Sequence, residues 1–310
     1  MGLPSKDLLG LENLSHNDIK LILDHAASMK EVLSRSIKKV PTLRGKLVVN
    51  LFYEPSTRTK SSFSLAAKRL SADGMSLSAK RSSVVKGESL VDTARTLRAL
   101  GADAVVMRHG VPGAAKLLAE TVDIPVLNAG DGAHEHPTQA LLDLFTIQEK
   151  KREIQGREVA IVGDIKHSRV ARSNIWGLNK LGANVRLIGP STLMPEQIED
   201  LDVEVYSDLE EGLKGVDVAY LLRIQRERQD KGFFPTIKEY TKFYGVREKH
   251  LKLAKEDALI MHPGPINRGI EISSKLAYDQ QSVIEEQVSN GVAIRMALLY
   301  LLIEGGSKDE

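Results

Sequence analysis

The sequence predicts an α/β protein of two domains, each a parallel β-sheet flanked by helices, with a C-terminal helix packing back on the first domain. Three observations carry this. Short β-branched runs alternate with helical apolar periods along the chain. The alternation breaks once, at a charged stretch around residues 150–156, and then restarts. The strand candidates are near-continuous apolar runs, as expected of strands buried on both faces. These points set a first domain at 1–148 and a second at 149–288; a last helix, 289–310, is expected to return to the first domain. At 310 residues the chain is long enough for two ordinary cores.

In the first half, "KLVVNLFY", "GMSLS", "DAVVMR" and "PVLNA" are expected strands. The segment "TRTKSSFSLAAKRLS" is expected to be helical, because Phe63, Ala66, Ala67 and Leu70 fall on one face. "HPTQALLDLFTIQEKK" is the helix that closes the half. The second half restarts with "REVAIVGD", a helix through "VARSNIWGLNKLG", and then "NVRLIGP", "DVEVYS", "DVAYLLR" and "DALIMHP" as strands. A last helix is expected from about Ser289 to Glu304.

Composition removes several classes of function. Hydrophobic residues make up 42% and charged residues 27%, the balance of a soluble globular protein. The 43 basic and 41 acidic residues leave a net charge of +2, which gives no support to a nucleic-acid or membrane-surface partner. There is no cysteine, which excludes disulfides, thiolate metal sites and cysteine nucleophiles and fits a reducing compartment. The start "MGLPSKDLLG" lacks the apolar stretch of a signal peptide, and "MALLYLLI" falls short of the roughly 18 residues of a membrane span. A cytoplasmic protein is expected.

In parallel sheets ligands bind at the carboxyl ends of the strands, where loops meet helix N-termini. After the first strand, "YEPSTRTKSSF" turns at Pro55, offers Ser56 as an N-cap, and places Thr57, Arg58 and Thr59 in the first helical turn. Free N–H groups, hydroxyls and a guanidinium then converge on one small volume that suits a phosphate. The glycines of a nucleotide-triphosphate loop are missing, so that ligand is not implied. "DAVVMRHG" places Arg108 and His109 past a strand end, and "NAGDGAHEHPTQ" places His136 and Gln139 at a helix start. His134 and His136 flank Glu135 and invite a metal reading, but no third ligand has convincing spacing, and a metal-free site is expected. "VAIVGDIKHSRV" lacks the later glycines of a dinucleotide-binding turn, and no acid closes the next strand.

Taken together, "STRTKSSF", "VMRHG", "NAGDGAHEHPTQALLDLFTI" and "HPGPINRGIEI" resemble the aspartate/ornithine carbamoyltransferase family, in order along nearly the whole chain. The resemblance implies carbamoyl transfer from carbamoyl phosphate to the amino group of L-aspartate, giving N-carbamoyl-L-aspartate and phosphate for pyrimidine synthesis. It implies no cofactor, and homotrimers with shared active sites. Regulatory chains or a dihydroorotase are further partners the family allows. By resemblance Ser56, Thr57, Arg58 and Thr59 hold the phosphate, and Arg108, His136 and Thr59 donate to the carbamoyl oxygen. Gln139 and the carbonyls of Gly264 and Pro265 accept from the carbamoyl NH2. Ser82 and Lys86 reach in from a neighbouring subunit.

The acceptor is decided in the second half. Aspartate brings two carboxylates, which bidentate arginines suit. By resemblance Arg169, Arg223 and Lys86 face them, with Gln225 in support. The Ser-Met-Gly loop of the ornithine branch is absent, and "HPGP" stands where that branch shows His-Cys. Ornithine transfer is the nearest alternative; a non-catalytic phosphate- or amino-acid-binding protein is the other, and it leaves Arg108 and His136 without a purpose. One departure is Gly264, where many relatives carry Leu: the backbone carbonyl survives, but packing above the carbamoyl group is lost, which puts the loop's rigidity in question.

Overall fold

The computed structural model describes residues 2–78, 89–224 and 236–305. Its chain divides into two compact units, Met1–Leu142 with Ser289–Glu310, and Asp143–Val288.

The first unit opens with α1 (His16–Ser34), a helix the sequence reading above does not single out. A reciprocal capping box starts it: the Ser15 side chain accepts from the Asp18 N–H, and the Asp18 carboxylate accepts from the Ser15 N–H at 2.8 Å. Such a cap is worth about 1 kcal/mol. Then follow β1 (Leu47–Phe52), α2 (Thr57–Arg69), β2 (Asp73–Ser78), α3 (Leu90–Ala99), β3 (Ala104–His109), α4 (Ala114–Thr121), β4 (Val126–Asp131) and the start of α5 (Pro137–Lys151). The four strands form one parallel sheet in the order β2-β1-β3-β4. Val49, Leu51, Val105, Met107 and Val126 pack one face of it against Leu97 and Leu118. Full burial of each such side chain contributes about 1.5–3 kcal/mol.

The second unit holds β5 (Glu158–Val162), α6 (Arg169–Lys180), β6 (Asn184–Ile188), β7 (Glu204–Tyr206), α7 (Leu209–Leu213), β8 (Val218–Leu221), α8 (Ile237–Tyr244), α9 (Glu248–Leu251) and β9 (Leu259–Met261). Its sheet is also parallel, in the order β7-β6-β5-β8-β9. The expected strands are all present; those of this unit are shorter than the expected segments, whereas β2, β3 and β4 of the first unit each run one or two residues beyond them.

The last helix, α10 (Ile284–Ile303), begins five residues before the expected Ser289. The Val283 carbonyl accepts from the Gln287 N–H at 2.9 Å, and Glu285 and Glu286 occupy the first turn, where negative charge suits the helix dipole. From Ser289 onward this helix belongs to the first unit and packs on it. Arg295, buried on α10, donates to Ser62 Oγ on α2 at 2.9 Å, lies over the Phe63 ring, and reaches Thr138 Oγ1 on α5 at 3.4 Å. Tyr300 stacks on His25 of α1.

Candidate active site

Each sheet has one point where the strand order reverses, and there crossovers leave to opposite sides of the sheet. In the first unit it lies between β1 and β3, in the second between β5 and β8. Crevices at the carboxyl ends of such strand pairs are the usual ligand sites of open parallel sheets.

In the first unit the chain leaves β1 through Tyr53, Glu54 and Pro55 and enters α2 at Ser56. Ser56 takes the N-cap position with extended backbone, but its side chain makes no cap hydrogen bond, contrary to the usual role of a serine there. No acid lies in the first turn, which carries Arg58 instead, a cation placed against the helix dipole. Thr57 and Arg58 are exposed, Ser56 is half-buried and Thr59 is buried. A helix start without its customary acid or side-chain cap bond, and with a guanidinium added, has the chemistry that suits an anion.

Arg108 stands one residue before the end of β3, paired with Phe52 of β1. On the other side the β3–β4 register slips by one residue between Met107 and His109, so β4 carries an extra residue there. Arg108 uses that irregularity: its Nη1 donates to the Ala129 carbonyl at 3.0 Å. Its Nε lies 3.4 Å from Glu54 Oε2, and Nη1 is 3.5 Å from His136 Nε2. His136 immediately precedes α5, and its carbonyl accepts from the N–H groups of Gln139 and Ala140. Pro137 at the first helical position suits this start, since its missing N–H has no intrahelical partner to lose. The structure thus brings Arg108 and His136 together, with half-buried Gln139 one helical turn further on.

The loop before His136 is held by Asp131, a buried acid that the sequence reading missed. Its carboxylate accepts from Asn128 Nδ2 (2.8 Å), the Gly113 N–H (2.8 Å) and the Glu135 N–H (3.2 Å), and pairs with His134 Nδ1 (3.1 Å). An acid ending an apolar strand was the available signal. Among the described residues, the group of potential metal ligands around His134 does not include His136. Glu12, His134 and Glu135 bring ligand-type atoms within 4.8 Å of one another, while Glu135 accepts the N–H groups of Leu11 and Glu12. His109, which shared a motif with Arg108, instead packs edge-on against Tyr53 and accepts the Val111 N–H.

In the second unit Arg169, Arg223 and the Gly264–Pro265 pair follow β5, β8 and β9, which are adjacent strands. Gly163 follows β5 at φ +128°, and a Cβ there would lie 3.0 Å from the Tyr240 hydroxyl, so only glycine is accommodated. Asp164, fully buried, pairs with His167 Nδ1 at 2.7 Å and accepts the His167 N–H. Ser168 caps α6 by accepting the Ala171 N–H, which makes Arg169 its first residue. Arg169 is buried at a helix N-terminus, where its cation meets the positive end of the dipole. Arg223 is half-buried, two residues past β8. Burial first, then the Glu271 and Asp164 carboxylates, push the Tyr240 hydroxyl well above its ordinary pKa, so it stays protonated beside both acids. Ser82, Lys86 and Gln225 lie outside the described residues.

Comparison with known proteins places this arrangement in a class. The family description "aspartate/ornithine carbamoyltransferase, carbamoyl-P binding domain" matches residues 6–149, and its "Asp/Orn binding domain" matches residues 155–302. The chain belongs to the aspartate/ornithine carbamoyltransferase family. It is 64% identical to the aspartate carbamoyltransferase catalytic subunit of Halothermothrix orenii, over 100% of this chain and 99% of that one. Among solved structures it is similar to Trypanosoma cruzi aspartate transcarbamoylase in complex with N-(phosphonacetyl)-L-aspartic acid (31% identity, TM-score 0.86, 96% of each chain). It is equally similar in fold to ornithine carbamoyltransferase from Pyrococcus furiosus (30% identity, TM-score 0.88, 98% of this chain and 99% of that one). Among the described residues no helix is long and apolar enough to cross a membrane.

Proposed function

We propose that this chain transfers the carbamoyl group of carbamoyl phosphate to the amino group of L-aspartate, giving N-carbamoyl-L-aspartate and phosphate, and that it works as a cytoplasmic homotrimer with shared sites. The carrying observation is the placement of hydroxyl and guanidinium groups at both sheet reversal points: Ser56–Thr59 after β1 and Arg108 near the end of β3, Arg169 and Arg223 after β5 and β8.

The chemistry follows from those groups. The neutral amine of aspartate attacks the carbamoyl carbon, the carbonyl oxygen gains negative charge, and the C–O bond to phosphate breaks. Arg108, Thr59 and His136 donate to the developing oxyanion, while Ser56, Thr57, Arg58 and Thr59 hold the phosphate as its charge grows. Gln139 and the carbonyls of Gly264 and Pro265 accept from the carbamoyl NH2 and orient it. The amine loses its proton to the departing phosphate, so no side chain has to act as base. Holding both reactants in line supplies much of the remaining acceleration. Ser82 and Lys86 enter from the adjoining subunit, and Lys86, Arg169 and Arg223 with Gln225 bind the two acceptor carboxylates.

Fold likeness does not separate aspartate from ornithine, because both kinds of solved structure superpose equally well. Two arginines after adjacent strands favour a dicarboxylate, and so does the 64% identity to an aspartate carbamoyltransferase catalytic subunit. The test is product formation from carbamoyl phosphate with aspartate and, separately, with ornithine. Carbamoyl-aspartate alone is expected; citrulline alone overturns the acceptor, and no product with either overturns the reading.

A further inference from the structure

The HPGP loop carries Gly264 at φ +61°. What holds the loop is a buried hydrogen-bonded network below it. His262 is 2% exposed, and its backbone N–H donates to Gln287 Oε1 at 3.0 Å. Its ring Nδ1 accepts from the Gly264 N–H at 2.8 Å. Its Nε2 lies 3.3 Å from Oε1 of Glu271, a residue also 2% exposed. That same oxygen accepts the Asn267 N–H at 2.5 Å. A backbone amide can only donate, so Nδ1 is the lone-pair nitrogen and the ring proton sits on Nε2, facing a carboxylate.

The support continues inward. Gln287 Nε2 donates to Asp143 Oδ1 at 2.7 Å, and Asp143 Oδ2 accepts from the Tyr220 hydroxyl at 2.6 Å and from Asn174 Nδ2 at 3.0 Å. Groups from α5, α6, β8 and the first turn of α10 thus end at the loop that follows β9.

The geometry points to His262 and Glu271 as positioning residues. The imidazole and the carboxylate set where the carbonyl oxygens of Gly264 and Pro265 lie. Both ring nitrogens of His262 are engaged, so the ring acts on the loop and exchanges no proton with substrate. This inference rests on the assignment of those carbonyls to the carbamoyl NH2.

Three variants of the full chain test it. His262→Ala removes both ring contacts; His262→Asn returns an acceptor oxygen near the Nδ1 position; Glu271→Gln keeps size and an acceptor but loses the charge. The readouts are kcat, the KM of each substrate, the melting temperature, and amide hydrogen exchange over residues 262–272 without substrate. His262→Ala is expected to lower kcat about a hundredfold and to speed exchange at Gly264. His262→Asn should return to within about tenfold of wild type, and Glu271→Gln should lose about tenfold with faster exchange at Asn267. Equal losses for Ala and Asn at 262, or wild-type kcat and exchange in His262→Ala, overturn the role. If His262→Ala does not fold, wild-type kcat and exchange in Glu271→Gln overturn it as well. Exchange is read without substrate, so a wild-type enzyme with no carbamoyl transfer would sink the functional reading and leave this measurement to judge the loop alone.

Discussion

Arg108 Nη1 lies 3.5 Å from His136 Nε2, joining the end of β3 to the entrance of α5. The same guanidinium nitrogen donates to Ala129, and its Nε faces Glu54, so Arg108 is aimed before any ligand arrives. Preorganised donors of this kind stabilise developing charge because they need no reorientation during the reaction.

His136→Ala tests the share of that pair carried by the imidazole. Loss of one oxyanion donor is expected to lower kcat about 10²–10³-fold while carbamoyl phosphate still binds. Steady-state kinetics across a pH series, with direct binding of carbamoyl phosphate, measure both. Complete loss at every pH with binding intact would instead make His136 the base.

Arg58→Ala removes the guanidinium from the α2 entrance and is expected to abolish turnover. Lys86→Ala is expected to do the same from the neighbouring subunit. Mixing the two inactive chains should restore part of the activity, since some sites of a hybrid trimer then draw an intact Arg58 and an intact Lys86 from different chains. Verified hybrids without recovered activity would show that Lys86 does not complete a neighbour's site.

Arg169→Lys and Arg223→Lys keep the charge but lose the planar fork. The KM for aspartate should rise at least about tenfold in each, with the KM for carbamoyl phosphate little changed. A matching rise for both substrates would mean that these arginines serve the protein's structure.

Asp217, 1% exposed, accepts from Lys255 Nζ at 2.7 Å, the Glu158 N–H at 3.0 Å and Arg157 Nη1 at 3.2 Å. Burial pushes its carboxyl pKa up, but Lys255, the Glu158 N–H and Arg157 together outweigh it and hold the group below its ordinary value. A depressed folded-state pKa means stabilisation present above the unfolded value, near 3.9, and lost as the pH falls through the folded one. Asp217→Asn should destabilise the protein by about 2–3 kcal/mol at neutral pH. Urea melts should show the gap to wild type narrowing below about pH 4.

Much of the fold was legible because parallel strands buried on both faces write themselves as unbroken apolar runs. The α2 entrance was legible too, since Pro55, Ser56 and Arg58 state a turn, a cap and a cation in consecutive positions. Helix α1 was legible and was missed: Ser15 and Asp18 spell a capping box, and Ile19, Ile22, Leu23 and Ala26 a buried stripe. Other relationships were not. The ties between Glu54 and Arg108, and between His262 and Glu271, depend on strand register and loop curvature, which no local spacing encodes. The expected cap bond of Ser56 did not form, and the expected start of the last helix moved to Ile284, where two glutamates suit its positive end.

The first unit recruits its closing helix only after the chain has passed through the whole of the second, from Asp143 to Val288. Ala293, Ile294, Met296, Ala297, Leu298 and Leu299 of that helix are all buried. A nascent chain that has just released β9 from the ribosome therefore still presents an uncovered greasy seam on its first-made half. Premature termination before residue 289 would then leave the half that is synthesised first without its closing helix.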